Sequence, residues 1–316
     1  MSRFSPSDAA LEGFRLTRER PLSVLAWAAL RFVYSAASLF VLFGIGGSSF
    51  HDLMALQADG KTPPPSAVLP LLGQLAPAVL GVLALGLVFH AVFYTAMLRA
   101  ILRPGDRAFA AIRLSIDELR QFALAVVLVV LFVVYAFIAE VIAIVLIALA
   151  KGLGGAALPI DILIVLALIA AVVYPAIRLS VAPAMTFADG RISILRALPV
   201  TRGRFWPMFG TYVLAMVLTL VVVILLGVIF ALAIGAVGLA QGGMTAATQM
   251  FGIMQASDMT LASVLSPLRL VSLGFNAVLS TLGYLILLAP AAAIFRELTG
   301  RVGAPATAPK PGQPWG

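Results

Sequence analysis

The run FALAVVLVVLFVVYAFIAEVIAIVLIALA occupies Phe122–Ala150, and Glu140 is its only charged residue. As a helix rising 1.5 Å per residue it reaches about 44 Å, more than the roughly 30 Å hydrocarbon core of a bilayer. A strand in a barrel wall would alternate polar and apolar side chains, and this run does not. A helix across a membrane is the reading that remains.

Five further stretches read the same way: Leu22–Gly47, Val68–Leu98, Ile160–Phe187, Met208–Leu239 and Pro267–Phe295. Several are longer than a perpendicular crossing requires, which implies tilt or helical extension beyond the bilayer. The whole chain of 316 residues agrees, with 62% hydrophobic and 11% charged residues and a mean hydropathy of +1.10. Soluble domains hold roughly 45–50% apolar and 25% charged residues, so a water-facing surface cannot be built from this composition. The predicted fold class is all-α, a polytopic membrane protein with six transmembrane helices. Residues 1–21 form an N-terminal segment, 22–298 the membrane domain and 299–316 an Ala/Pro/Gly-rich tail expected to be disordered. The arginines before the first span resemble the start of a signal peptide. Arg31 interrupts that apolar run, however, and no polar region soon follows a small-residue cleavage site, so the span is read as retained.

Positive residues set the orientation. Arg3, Arg15, Arg18 and Arg20 precede span one; Arg99, Arg103, Arg107, Arg113 and Arg120 join spans two and three; Arg191, Arg196, Arg202 and Arg204 join spans four and five; Arg296, Arg301 and Lys310 follow span six. The opposite connections offer Lys61 and Lys151, with Arg269 at the edge of span six. Both termini are therefore expected in the cytoplasm, and the net charge of +8 reads as a topology signal rather than a nucleic-acid footprint. Arg outnumbers Lys by eighteen to three, a ratio consistent with a GC-rich bacterium, and a bacterial inner membrane is the expected location.

Residue inventory narrows the chemistry. With no cysteine there is no disulfide, thiolate nucleophile or iron–sulfur ligand, and the two histidines give little material for a metal site. Met244, Met250, Met254 and Met259 carry soft sulfur ligands but have no Cys or His beside them, and Met250, Ile253 and Met254 also make an apolar stripe. Asp189-Gly190 starts like a lipid-headgroup phosphotransferase signature, yet the later paired aspartates are absent at the required spacing. No Gly-x-Ser-x-Gly, Walker A or His-Glu-x-x-His sequence occurs. The expectation is a protein with no enzymatic activity, no cofactor and no bound metal.

Two connections are amphipathic. Phe109, Ile112, Ile116 and Leu119 share a helical face, which predicts a helix from Asp106 to Phe122 capped by Asp106, with Arg113, Asp117 and Arg120 close enough to pair. In 189–206, Ile192, Leu195 and Leu198 form a stripe stopped by Pro199, and Thr201 is the expected N-cap of a helix carrying Arg202, Arg204 and Trp206.

Arg178-Leu-Ser-Val-Ala-Pro183-Ala-Met-Thr-Phe-Ala-Asp189-Gly190-Arg191, followed by Ala197-Leu-Pro-Val-Thr201-Arg202-Gly203-Arg204-Phe205-Trp206, resembles the bacterial six-span family called the glycerophosphoryl diester phosphodiesterase membrane domain and its YciC-type relatives. The likeness covers about thirty residues. Leu198-Pro199 stands where that family commonly has a serine. The resemblance implies a six-span fold and a membrane location. It carries no activity, because the soluble phosphodiesterase domain of some members has no counterpart here.

The candidate sites follow. Arg191, Arg196, Arg202 and Arg204, beside Trp206, are candidate contacts to anionic lipid headgroups, the alternative being that they only fix orientation. Glu140, His90, Asn276 and Arg31 are candidate intramembrane polar sites. The plainer alternatives are a neutral Glu140 hydrogen-bonded between helices, His90 and Asn276 in helix packing, and an Arg31 that snorkels to the headgroups or precedes a span starting only after it, residues 9–30 then lying partly on the membrane. Pro77, Pro175, Pro183 and Pro290 are expected to kink their spans. Together these residues suggest an accessory membrane protein contacting anionic lipid or a membrane protein partner, with a transporter of a small or lipidic solute as the alternative. A water-filled cavity lined by Glu140, His90 or Asn276 would favour the transporter.

Overall fold

The computed structural model describes residues 5–58, 64–105, 109–151, 157–255 and 265–300. Among them the regular structure is helical: α1 (Pro6–Ala10), α2 (Glu12–Glu19), α3 (Pro21–Ala58), α4 (Pro65–Leu102), α5 (Ile116–Ala150), α6 (Ala157–Leu179), α7 (Ala182–Asp189), α8 (Ala197–Val200), α9 (Phe205–Gln255) and α10 (Pro267–Thr299). A single 3₁₀ turn, Phe109–Ala111, precedes α5. Six segments are long and apolar enough to cross a bilayer: Pro21–Gly47, Pro65–Leu102, Phe109–Ala150, Leu158–Asp189, Phe205–Gly252 and Pro267–Thr299. The protein is an all-α, multi-pass membrane protein. The expected disordered tail falls outside the described residues beyond Gly300, and Thr299 still belongs to α10.

Outward-facing apolar side chains explain why lipid is the required solvent. On α5, Val133 is 62% and Phe137 66% exposed, and Leu163 and Leu166 of α6 are likewise exposed. Such contiguous apolar area would drive aggregation in water, whereas hydrocarbon matches it at no cost.

The breaks in the helices have local causes. α3 kinks at Gly47, whose φ of 32° lies in the left-handed region. α9 runs past the expected end at Leu239 and bends at Gly242–Gly243. Just before that bend a Cβ on Gly238 would lie 2.5 Å from the Cα of Ala247, so only glycine admits the returning backbone. Pro70, Pro77, Pro175 and Pro290 sit inside helices. Pro183 instead occupies the first turn of α7, where the missing N–H has no helical partner to lose.

The described residues fall into two compact units. One comprises Met1–Glu12, Ala91–Ala215 and Leu288–Gly316; the other comprises Gly13–His90 and Met216–Leu287. In the first unit Phe93, Met97, Leu98, Leu102, Leu124, Phe187, Met208 and Phe295 are fully buried. There α5 packs on α6 and α7, and α6 on α8. Arg296 Nη2 lies 3.2 Å from Glu12 Oε1, and Glu297 accepts the Ser5 N–H at 3.2 Å, tying the N-terminal segment to the end of the last span. In the second unit Trp27 and Leu285 are fully buried, and α2 lies against α10 where Gly13 meets the Leu285 backbone.

Candidate functional site

The first unit is organised around buried charge. Ser115 has extended backbone (φ −142°, ψ 179°) and caps α5, its Oγ accepting the Asp117 N–H. Glu118 completes a capping box by accepting the Ser115 N–H at 2.9 Å and the Ser115 hydroxyl at 2.6 Å. Its other oxygen, Oε1, accepts from Arg99 Nη2 at 2.8 Å, with side-chain exposures of only 2% for Arg99 and 7% for Glu118. Arg99 Nη1 also donates to the Ala111 carbonyl at 2.6 Å, fixing the turn before α5. One turn after Arg99 and just beyond the end of α4, Arg103 donates to Asp117 at 3.2 Å and to the Phe187 carbonyl at 3.1 Å, and its guanidinium lies 4.2 Å from the Phe187 ring centroid. Asp117 also accepts from Arg120 at 3.0 Å, and Gln121 donates to the Pro183 carbonyl at 2.8 Å. One polar cluster thereby joins the ends of α4 and α7 to the first turn of α5.

Several expectations are corrected here. The expected helix from Asp106 to Phe122 is not continuous: residues 112–115 are not helical and the described helix starts at Ile116, because Ser115 with Glu118 supplies both halves of a cap. Asp106 lies outside the described residues. Asp117 pairs with Arg103 and Arg120, whereas Arg113 is exposed and in no ion pair among the described residues. The Ser-x-x-Glu pattern at 115–118 was readable in the sequence. The partnership with Arg99 was not, since it spans nineteen positions.

The connection between α7 and α9 has a rigid inner side. α7 ends at Gly190, in the left-handed conformation at φ 64°, as glycine after a helix often is. The buried Ser193 N–H then donates to Thr186 Oγ1 at 3.1 Å, and the Ser193 hydroxyl donates to Asp189. Arg178 reaches the next turn, donating to the Leu198 carbonyl and to Thr201 Oγ1 at 3.4 Å. Thr201 is buried and does not cap a following helix. It closes α8, its hydroxyl donating to the Ala197 carbonyl at 2.8 Å, and α9 begins only at Phe205. Pro199 lies within α8 rather than stopping the turn before it.

That scaffold leaves its cations outside. Arg191, Arg196, Arg202 and Arg204 are all exposed. Arg196 stands 3.8 Å from Asp189, a loose contact worth little at a surface, while Arg191, Arg202 and Arg204 form no ion pair among the described residues. Residues 191–196 curve around a small recess of about 340 Å³. Trp206 is 75% exposed, with edge-to-face contacts to Phe205 at 5.3 Å and Phe209 at 6.0 Å. The structure therefore keeps these candidate residues on one connection, cationic and aromatic side by side.

The intramembrane candidates are not gathered into one site. Glu140 is exposed on α5 and forms no hydrogen bond among the described residues, so the expectation that it bonds between helices is corrected. Asn276 is also exposed and accepts the Ser280 hydroxyl at 3.2 Å within its own helix. His90 is half-buried. An apolar cavity of about 470 Å³ lies between α5 and α6, lined by Tyr135, Ile138, Ile142, Leu163, Ile164 and Leu168 among others, and none of these three candidates lines it. Arg31 is held by rings: its guanidinium carbon lies 5.4 Å from the Tyr34 centroid, 5.1 Å from that of Phe89 and 4.6 Å from that of Tyr284. Among the described residues no three His, Asp or Glu side chains converge, so they offer no ligand set for a metal ion. No family model, curated protein or solved structure matches the chain.

Proposed function

We propose that this chain is a non-enzymatic accessory protein of a bacterial inner membrane, with cytoplasmic termini, that binds anionic lipid headgroups through the connection between its fourth and fifth spans and presents that surface to a membrane partner. The observation that carries the reading is the set Arg191, Arg202 and Arg204, exposed, without an ion pair among the described residues, and beside an exposed Trp206. Guanidinium forks match phosphate oxygens bidentately, and an indole prefers the headgroup layer. The inner hydrogen bonds of Ser193 and Thr201 hold the connection in shape before lipid arrives, which lowers the entropy lost on binding. The resemblance of residues 178–206 to YciC-type membrane domains fits this reading.

The test replaces Arg202 and Arg204 together by Gln. At about 1 kcal/mol for each basic residue near an anionic surface, the pair contributes about 2 kcal/mol, or roughly thirtyfold in affinity. Native mass spectrometry of the purified chain should show retained phosphatidylglycerol falling accordingly, with a monodisperse elution profile kept. Unchanged retention would reduce these arginines to orientation signals.

A further inference from the structure

Arg31 carries a feature that neither the fold nor the headgroup reading uses. It stands ten residues into α3, about 15 Å from the start of that helix, and Tyr284 lies near the middle of α10. At such positions a cation is costly in a bilayer and is normally paired or drawn to the interface. The Arg31 guanidinium lies among the rings of Tyr34, Phe89 and Tyr284. Yet it has no ion pair and no hydrogen bond among the described residues. The described carboxylates of its unit are Glu19 and Asp52, and neither pairs with it.

Ring faces stabilise the charge of a guanidinium but do not satisfy its N–H groups, which point along its edge. Nε is buried with no acceptor, while the terminal nitrogens keep access to the surroundings. A second donor is idle in the same cluster: the Tyr34 hydroxyl makes no hydrogen bond among the described residues. Tyr34 stacks on Phe89 with centroids 4.7 Å apart, and its hydroxyl lies where a Cβ on residue 86 would approach to 3.2 Å, so Gly86 leaves the ring its place. Three rings thus surround the guanidinium, and among the described residues its Nε and the Tyr34 hydroxyl lack an acceptor.

We propose that Arg31 and Tyr34 bind a phosphate group within the membrane domain, the guanidinium edge holding two phosphate oxygens and the Tyr34 hydroxyl a third. A phosphate presents enough oxygens for the two guanidinium N–H donors and the Tyr34 hydroxyl without any oxygen being shared. The phosphate is either the headgroup of a lipid or a free ion entering from water. This site does not depend on the arginines between spans four and five.

The test uses the purified full-length chain with two probes, phosphatidylglycerol in mixed dodecylmaltoside micelles and inorganic phosphate. The variants are Arg31→Gln, Arg31→Lys, Tyr34→Phe and, as control, Arg202→Gln with Arg204→Gln. Native mass spectrometry counts retained lipid, and thermal unfolding reads the stabilisation by each probe. Arg31→Gln should lower affinity for one bound phosphate group about tenfold or more, with Arg31→Lys intermediate and Tyr34→Phe a few-fold weaker than the unmodified chain. The control should keep that site whether or not it loses lipid elsewhere. Stabilisation by phosphatidylglycerol alone identifies a lipid headgroup, and stabilisation by inorganic phosphate a free ion; both support the site. Should Arg31→Gln fail to fold, Tyr34→Phe decides, because it keeps every ring. Equal binding of both probes by Tyr34→Phe and by any folded Arg31 variant would overturn the proposal and leave Arg31 held by its rings alone.

Discussion

Replacing Glu118 by Gln should destabilise the protein by about 3 kcal/mol, although the amide has almost the same shape. The carboxylate places Oε1 against Arg99 Nη2 at 2.8 Å and Oε2 against the Ser115 N–H at 2.9 Å and hydroxyl at 2.6 Å. An amide has one oxygen for these two demands. With its nitrogen toward Arg99, two donors face each other in a buried place. With its nitrogen toward Ser115, the hydroxyl can rotate to accept but the backbone N–H loses its acceptor, and the capping box opens. One unsatisfied buried donor costs about 1–3 kcal/mol, and breaking a buried ion pair costs about 3–5 kcal/mol. The lower end of the second range is appropriate, since the Gln oxygen still serves one side.

The assay is unfolding in mixed micelles of dodecylmaltoside and increasing sodium dodecyl sulfate, followed by circular dichroism, on Glu118→Gln, Arg99→Met, Glu118→Met and the Arg99→Met/Glu118→Met double variant. Removing both charges leaves no uncompensated ion, so the double variant should be less destabilised than the sum of its singles by about 2 kcal/mol. A Glu118→Gln midpoint indistinguishable from the unmodified chain, or strictly additive methionine variants, would refute the claim that this pair holds α4 to α5.

Three other outcomes are expected. Gly13→Ala should cost about 1–3 kcal/mol in the same unfolding assay, because the new Cβ would stand 2.6 Å from the Leu285 carbonyl oxygen, and backbone cannot step aside as a side chain can. Glu140→Gln should leave the midpoint within about 0.5 kcal/mol, since the carboxylate has no partner among the described residues; a larger loss would mean that it holds an unseen cation. Reporter fusions after Lys61, Lys151 and Ser257 should read as periplasmic and those after Arg107, Arg196 and Arg301 as cytoplasmic, and a cytoplasmic signal after Ser257 would remove the sixth crossing.

The spans were legible because twenty-odd apolar residues in succession admit few structures, and all six expected runs lie in segments of crossing length, the fourth broken between α6 and α7 after Leu179. Their limits were less legible where a helix end depends on a side chain bonding backward or forward. Thr201 has the composition of an N-cap, yet the carbonyl of Ala197 lies one turn behind it and takes its hydroxyl. Pro199 looks like a stop, but a four-residue helix has first-turn positions in which a missing N–H costs nothing. The aromatic setting of Arg31 escaped notice for another reason: Tyr34 is a near neighbour in sequence, but Phe89 and Tyr284 come from distant helices, and apolar periodicity does not specify which faces meet.

Counting positive charges by loop treats every arginine alike, and the structure sorts them by what surrounds them. Arg99, Arg103 and Arg120 meet Asp117 and Glu118, two acids in the first turn of α5 that also suit the positive end of the helix dipole. These arginines are absorbed in folding. Across 189–206 four arginines share one acid, Asp189, and that acid also accepts from Ser193. A surplus of cations follows from that ratio, whatever the detailed path of the chain. Arg31 is the extreme case, since it has no carboxylate as partner among the described residues of its unit. In a membrane protein, where unpaired charge is expensive, the local shortage of carboxylates around an arginine is a better guide to anion binding than the number of arginines.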